Sequence, residues 1–287
     1  MLQWDESEDP PNKSHAIGLQ SPVANMSFAA APATLASRDR RSYRRPTPPP
    51  LASASALFLD IDGTLLEFAD SHSGARVDAD LADMMPALMR KLGGAIAFIT
   101  GRGIADVDQL FPGLHVPVAG QHGCERRSAD GTLHMHAPSP PGLLRMRDAL
   151  TGFAARHHGL VVEDKGHTLA LHYRQAPQLA AHVHRTLRAQ IKDASMGGGW
   201  RLQPGKGILE VKPEGRDKGT AILDYMREPP FRGRTPAFIG DDATDEYGFA
   251  AVAQLGGLAV KVGKGRTTAR YRLRDVAAVR RWLRAAL

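Results

Sequence analysis

The sequence predicts an α/β fold: a parallel sheet with crossover helices, interrupted by an inserted α+β module. Two observations carry this. Short apolar runs alternate with helix-period segments near both ends of the chain, whereas the middle third switches to short strands paired around glycine turns.

Taken in order, residues 1–55 have no hydrophobic periodicity and finish in RRPTPPPLASAS, which predicts a disordered tail, with Met26 an alternative start. From Ala56 the texture changes. ALFLD (56–60) reads as a buried strand, and DADLADMMPALMRKLG (78–93) as a helix with apolar residues three and four apart, ending near Gly93. AIAFITGR (95–102) is a second buried strand, GIADVDQLF (103–111) a helix and VPVAGQHG (116–123) a third strand. Strand–helix–strand order of this kind builds a parallel sheet. The span 56–124 is therefore the first part of a core domain.

The span 125–213 reads as the insertion. ERRSADGTLHMHAP (125–138) suits a hairpin with an Asp-Gly turn, and a helix follows over about 142–158. LVVEDKGHTLALHYR (160–174) gives two strands around Lys-Gly, then comes a helix around 177–193, and WRLQPGKGILEVKP (200–213) gives two more strands. From 214 to 287 the α/β texture returns, with DKGTAILDYMRE (217–228) a helix, PAFIGDD (236–242) a strand, DEYGFAAVAQL (245–255) a helix and GLAVKVG (257–263) the last strand.

The totals exclude several classes. No apolar run reaches 18 residues, so no membrane span is predicted, and the acidic start lacks the basic and apolar regions of a signal peptide. The single cysteine, Cys124, makes neither an internal disulfide nor a thiolate zinc cage, which fits a reducing cytoplasm. The net charge of +7 does not point to nucleic acid. It is concentrated in RDRRSYRR (38–45) within the tail, which carries Tyr43 but no aromatic–basic alternation, and in RYRLRDVAAVRRWLRAAL (270–287), which reads as the solvated face of a last helix.

The chemistry-bearing residues stand at strand ends. In a parallel sheet the carboxyl ends of the strands open onto a crevice. Asp60 ends the first strand and Asp62 follows two residues on; Asp241, Asp242 and Asp245 follow another apolar strand. Converging carboxylates repel one another unless a cation is shared, and a few carboxylates with room for waters suit Mg²⁺. Thr100 and Gly101 end a third strand, where free backbone N–H groups suit an oxyanion, and Lys218 opens a helix. A carboxylate nucleophile, a second acid, a hydroxyl, an ammonium and a metal site are what an aspartyl-phosphate mechanism needs. Singly each has a plainer reading: an Asp-Gly hairpin, a common loop, acids at a helix start, a surface lysine.

The ordered set Asp60-Ile61-Asp62-Gly63-Thr64, Thr100-Gly101-Arg102, Lys218-Gly219 and Gly240-Asp241-Asp242-x-Thr244-Asp245-Glu246 resembles the haloacid dehalogenase (HAD) superfamily of phosphatases. The resemblance implies a Rossmann-like HAD core and a C2-type cap made by the insertion. It implies Asp60 as nucleophile, Asp62 as general acid and base, and Thr100 and Lys218 on phosphate. The metal set it implies is Asp60, Asp62 through its backbone carbonyl, and Asp241, with Asp242 and Asp245 nearby. Within that superfamily, AGQHGCERR, VEDKGHTLALHYR, GKGILEVKP and GDDATDEYGF resemble the trehalose-6-phosphate phosphatases, from about Leu57 to the C-terminus. Substrate contacts then fall on Asp60, Ile61, Asp62, Gly101, Arg102, His122, Gly123, Glu125, Glu163, Lys165 and Glu210. Lys212 stands where an arginine is expected, and the two are not interchangeable at a bidentate site, so it is left out. A site built for sugar hydroxyls rejects analogues that lack them. Without the resemblance, Glu163 and Lys165 would read as a same-face ion pair, and His122 and His172 as structural.

The expected function is Mg²⁺-dependent hydrolysis of trehalose 6-phosphate as the last step of trehalose biosynthesis, in the cytoplasm, by a monomer functionally linked to a trehalose-6-phosphate synthase. Two alternatives remain open: a phosphatase for another sugar phosphate such as sucrose 6-phosphate, and a non-catalytic binding module. A dinucleotide site fails because Asp106 breaks G-x-G-x-x-G, and a P-loop fails because five residues separate the glycines of GWRLQPG and Gly207 replaces the Ser or Thr.

Overall fold

The computed structural model describes residues 45–67, 75–136, 142–194 and 199–287. Its elements in chain order are β1 (Ser55–Leu59), α1 (Ala79–Lys91), β2 (Ile96–Ile99), α2 (Ile104–Leu110), β3 (Val118–Gly120), β4 (Glu125–Arg127), β5 (Leu133–Met135), α3 (Gly142–Ala155), β6 (Val161–Asp164), β7 (Leu169–His172), α4 (Ala180–Ala194), β8 (Trp200–Gly205), β9 (Ile208–Pro213), α5 (Lys218–Tyr225), β10 (Thr235–Gly240), α6 (Asp245–Gln254), β11 (Leu258–Val262), β12 (Tyr271–Leu273) and α7 (Val276–Arg284).

β1 is buried along its whole length because both faces of the sheet are covered. Leu57 and Leu59 join the cluster that includes Leu81 and Leu88 of α1 and Val279 of α7, while Ala56 and Phe58 join the cluster of Ile222 in α5 and Phe249 in α6. Alternating side chains of one strand thus feed both cores. Phe58 stacks on Phe231 at 5.4 Å between ring centroids, and truncating such a ring in a core costs ~3–5 kcal/mol.

The large sheet has the order β12-β11-β10-β1-β2-β3-β4-β5. From β12 to β3 every pairing is parallel, with Leu57 opposite both Ala237 and Ile96. The carboxyl ends of β10, β1, β2 and β3 therefore stand side by side, and Asp241, Asp60, Thr100 and Gln121 are the residues that follow them.

The smaller sheet, order β6-β7-β9-β8, is antiparallel. Leu169, Leu171, Leu209 and Val211 pack under α3 and α4 with Leu150 and Leu187. The alternate residues face the other way. Glu163 pairs with Ala170, Ala170 with Glu210 and Glu210 with Gln203, a cross-strand row on one face.

Three expectations need correction. The hairpin of β4 and β5 exists, but β4 pairs antiparallel with β3 and so extends the core sheet; the cap begins at α3 rather than at residue 125. The tight turn after β3 folds the chain straight back on that strand's free edge. Tyr271–Leu273, expected in a continuous helix, pairs with β11 as a further parallel strand, and only Val276 onward is helical. The predicted disordered tail also ends earlier than residue 55. Pro48 and Leu51 are buried, Arg272 N donates to Pro46 O and Trp282 Nε1 donates to Pro49 O at 2.9 Å. A proline-rich segment needs no periodicity to fill a gap beside α7, because its carbonyls accept and its rings pack. The rest of that predicted tail, residues 1–44, lies outside the described residues, as do Ala137 and Pro138 of the predicted hairpin.

Candidate active site

Asp60 is almost fully buried at the end of β1. Its Oδ2 accepts from Thr64 Oγ1 at 3.1 Å, across a turn in which the Ile61 carbonyl accepts from the N–H groups of Thr64, Leu65 and Leu66. Gly63, at φ 80°, supplies the left-handed conformation that turn requires. Asp60 Oδ1 accepts from Lys218 Nζ at 2.8 Å. Lys218, the first residue of α5, also donates to Asp245 Oδ1 at 2.7 Å. Asp217 fixes that helix start by accepting from Thr220 N at 2.8 Å.

Three carboxylates, Asp60, Asp241 and Asp245, bring oxygens within 4.8 Å of one another; Lys218 Nζ lies between Asp60 and Asp245, and Lys206 Nζ lies 3.8 Å from Asp241 Oδ2. Burial pushes the Asp60 carboxyl up; Lys218 opposes this while Asp245 and Asp241 add to it. Burial with the repulsion of Asp245 and Asp242 raises Asp241 to about 7. Lys218 is held as a cation: burial disfavours its charge, but Asp245 and Asp60 outweigh that. Asp241 Oδ1 is buried with no hydrogen-bond partner among the described residues. An orphaned carboxylate oxygen beside two further carboxylates fits a hard divalent cation, which takes oxygen ligands.

Asp62 lies outside that group. Arg102 Nε and Nη2 each donate to one of its oxygens at 2.7 Å. Thr100 is buried and lines the cavity, and its Oγ1 accepts from Arg102 N at 3.1 Å, so one of the N–H groups expected to be free for an oxyanion is already spent. Gly101 is required by packing: a Cβ there would lie 2.9 Å from the His122 ring.

These residues line one wall of a cavity of about 600 Å³. The cap lines the other, with Glu163, Lys165, His172, Arg174, Gln203, Lys206 and Glu210. Glu163 Oε2 lies 2.8 Å from His172 Nε2. Glu210 is buried, accepts from Thr168 Oγ1 at 2.7 Å and lies 3.1 Å from His122 Nε2. Burial alone would raise Glu210, but Lys165 and His122 outweigh it and hold the carboxyl well below its usual range. Burial holds the His122 imidazole below its usual range despite Glu210.

Asp60, Asp62, Thr100, Gly101, Arg102, His122, Glu163, Lys165, Glu210, Lys218, Asp241 and Asp242 are brought together at the cavity. Four predicted contacts do not reach it. The Ile61 side chain sits in the core. Gly123, at φ 95°, lets the start of α5 approach, where a Cβ would meet Asp217 O at 2.9 Å. Glu125 Oε1 accepts from Ile104 N at 2.9 Å and Gln121 Nε2 at 3.1 Å, which uses it to tie β4 to α2. Asp245, a predicted metal residue, is fully buried behind the wall and reaches the carboxylate group from there. Of the predicted metal set, Asp242 also stands apart, its Oδ1 accepting from Ala243 N at 2.6 Å; Asp62, expected to contribute its backbone carbonyl, has its carboxylate held by Arg102. Cys124 is buried, its thiol pushed up to about 11 by burial, so it is inert.

His172, read as structural, was missed as a cavity residue, as were Arg174, Gln203 and Lys206. Strand alternation held a signal for Gln203, which faces the same way as Glu210 across the β8–β9 pairing.

The Trehalose-phosphatase family profile matches residues 58–277. The chain belongs to the trehalose-phosphatase family. A trehalose-6-phosphate phosphatase of Escherichia coli is 40% identical over 236 residues, covering 82% of this chain and 87% of that protein. A probable trehalose-phosphate phosphatase of Sinorhizobium fredii is 41% identical over 208 residues, covering 72% and 77%. Among solved structures, the C-terminal domain of a C. albicans trehalose-6-phosphate phosphatase has a TM-score of 0.72 at 19% identity, covering 85% of this chain and 98% of that one. The parallel core with an inserted cap is the fold of the HAD phosphatases.

Proposed function

We propose that the protein is a trehalose-6-phosphate phosphatase, releasing trehalose and inorganic phosphate. One observation carries the reading: the polar face of the cap stands across a single cavity from Asp60, Asp62, Thr100 and Lys218. The cavity has the size of small-molecule sites, and its cap wall of carboxylates, an amide and lysines suits a surface of hydroxyls.

Asp60 attacks phosphorus while Asp62 gives a proton to the departing sugar oxygen. Asp62 then takes a proton from the water that hydrolyses the aspartyl-phosphate, which regenerates Asp60. Lys218 and Thr100 offset charge on the phosphoryl oxygens. Asp60, Asp241 and Asp245 would hold Mg²⁺, which supplies further positive charge to the phosphoryl group when bound. Thr64 and Lys218 fix the two Asp60 oxygens, so the nucleophile meets the phosphate already oriented.

The reaction completes trehalose synthesis downstream of a trehalose-6-phosphate synthase, in the cytoplasm, with the protein acting as a monomer and neither nucleic acid nor membrane as a partner. No helix among the described residues is long and apolar enough to cross a membrane. The test is phosphate release from trehalose 6-phosphate beside sucrose 6-phosphate, glucose 6-phosphate and mannose 6-phosphate, with and without Mg²⁺. The reading expects trehalose 6-phosphate to give the highest kcat/KM by at least tenfold. A higher value for another sugar phosphate reassigns the substrate, and no release from any ester leaves a binding module.

A further inference from the structure

Gln121 has no part in the chemistry described above, yet its surroundings are unusually specific. It follows β3 directly, is almost fully buried and has φ 48°, and the next residue, His122, has φ 57°. Two successive side-chain-bearing residues in the left-handed region hold that conformation only where their surroundings impose it. Here the backbone is clamped to the loop after β2: Gln121 N donates to Arg102 O and His122 N to Thr100 O, each at 2.9 Å.

That conformation aims the Gln121 amide at the cap. Its Nε2 donates to Lys165 O at 2.7 Å and to Glu125 Oε1 at 3.1 Å, and its Oε1 lies 3.3 Å from Thr168 Oγ1, whose proton goes to Glu210 Oε1 at 2.7 Å. Lys165 and Thr168 are the two ends of the β6–β7 turn, closed by Lys165 N donating to Thr168 O at 3.0 Å. One core amide therefore holds one end of a single cap turn through an N–H and stands against the other end, while its second N–H goes to Glu125. Glu163 precedes that turn, Lys165 lies within it, and Thr168 reaches on to Glu210.

We propose that Gln121 is a positioning residue for substrate selection: it sets the register of the cap's β6–β7 turn over the phosphate site, and so the placement of the sugar-facing side chains. This rests on the reading of the site as one for a sugar phosphate. Gln121 does not line the cavity. It acts through Lys165 and Thr168, so its effect falls on recognition of the leaving group and not on attack at phosphorus.

The test compares wild type, Gln121→Leu and the double variant Gln121→Glu/Glu125→Gln on trehalose 6-phosphate and on p-nitrophenyl phosphate, whose small leaving group reaches few cap residues. The double variant restores a donor–acceptor pair between positions 121 and 125 but still presents a carboxylate to Lys165 O. The expected result is that both variants raise KM for trehalose 6-phosphate at least tenfold with kcat within threefold. The ratio of kcat/KM for the sugar phosphate to that for the small ester falls at least fivefold. Hydrogen exchange at the 164–168 turn speeds up, while exchange in β9 does not. Recovery of wild-type KM by the double variant would overturn the proposal, because it would assign Gln121 to holding Glu125 alone. An unchanged ratio in Gln121→Leu, with both substrates affected alike, would overturn it too. If wild type prefers another sugar phosphate, the substrate reading fails and the same ratio, taken with that substrate, still decides the role of Gln121.

Discussion

Arg102 holds Asp62 in a fork, with Nε and Nη2 each 2.7 Å from one carboxylate oxygen. The guanidinium is buried and the carboxylate part-exposed, so the pair is fixed on the arginine side and open on the cavity side. The sequence suggested Arg102 as a substrate contact; the geometry makes it first the holder of Asp62, the proposed acid/base. Arg102→Met should lower kcat about 10- to 100-fold, because a displaced catalytic group loses orientation. Steady-state kinetics on trehalose 6-phosphate check this, and a change confined to KM would return Arg102 to a binding role.

Acid should weaken the link between core and cap. Burial holds the His122 imidazole below its usual range, and Lys165 and His122 outweigh burial to hold Glu210 well below the usual range of a glutamate. Both groups bind fewer protons folded than unfolded, so their contribution is present above the ordinary histidine value. It declines as pH falls below about 6.5 and further below about 4.5. Urea denaturation between pH 8 and pH 5 should show His122→Phe losing less stability towards acid than wild type, the opposite contributions of the raised Asp60 and Asp241 being common to both proteins. Equal losses would remove His122 from the pH dependence.

The orphaned Asp241 oxygen predicts stabilisation by metal. Binding to the folded state alone at a hundredfold excess over Kd adds about 2.7 kcal/mol. Mg²⁺ should raise the Tm relative to EDTA in wild type and do so far less in Asp241→Asn. An equal shift in the two proteins would place the ion elsewhere.

The segment 45–54 should behave as part of the fold. Leu51 is buried in the main core and the Trp282 indole N–H depends on Pro49 O. Losing one buried leucine costs roughly 1.5–3 kcal/mol, and losing the hydrogen bond to Trp282 adds about 0.5–1.5 kcal/mol. A chain starting at residue 55 should therefore melt at least about 5 °C below one starting at residue 45. Coincident melting curves would show that the segment adds nothing.

The legible parts of the site were those that end a strand. Asp60, Thr100 and Asp241 each terminate an apolar run, and a parallel sheet carries such ends to one edge whatever the loops do. Glu163 and Glu210 were found through the family pattern, and strand alternation explains why they share a face. Gln121 was invisible: nothing local predicts that a glutamine and a histidine in succession adopt positive φ, since tertiary hydrogen bonds impose it. The hairpin of β4 and β5 was read correctly as a hairpin but assigned to the wrong sheet, because its pattern encodes pairing and not the partner. β12, three residues long, is too short for any period to register.

The account depends on Asp60 being the nucleophile, and the most direct measurement is phosphate release from trehalose 6-phosphate by Asp60→Asn beside wild type, in Mg²⁺. Asparagine keeps the size of the side chain but cannot attack phosphorus as a carboxylate. The predicted result is a folded protein, by its circular dichroism spectrum, with turnover reduced at least a thousandfold. A folded variant releasing phosphate at a rate close to wild type would contradict it.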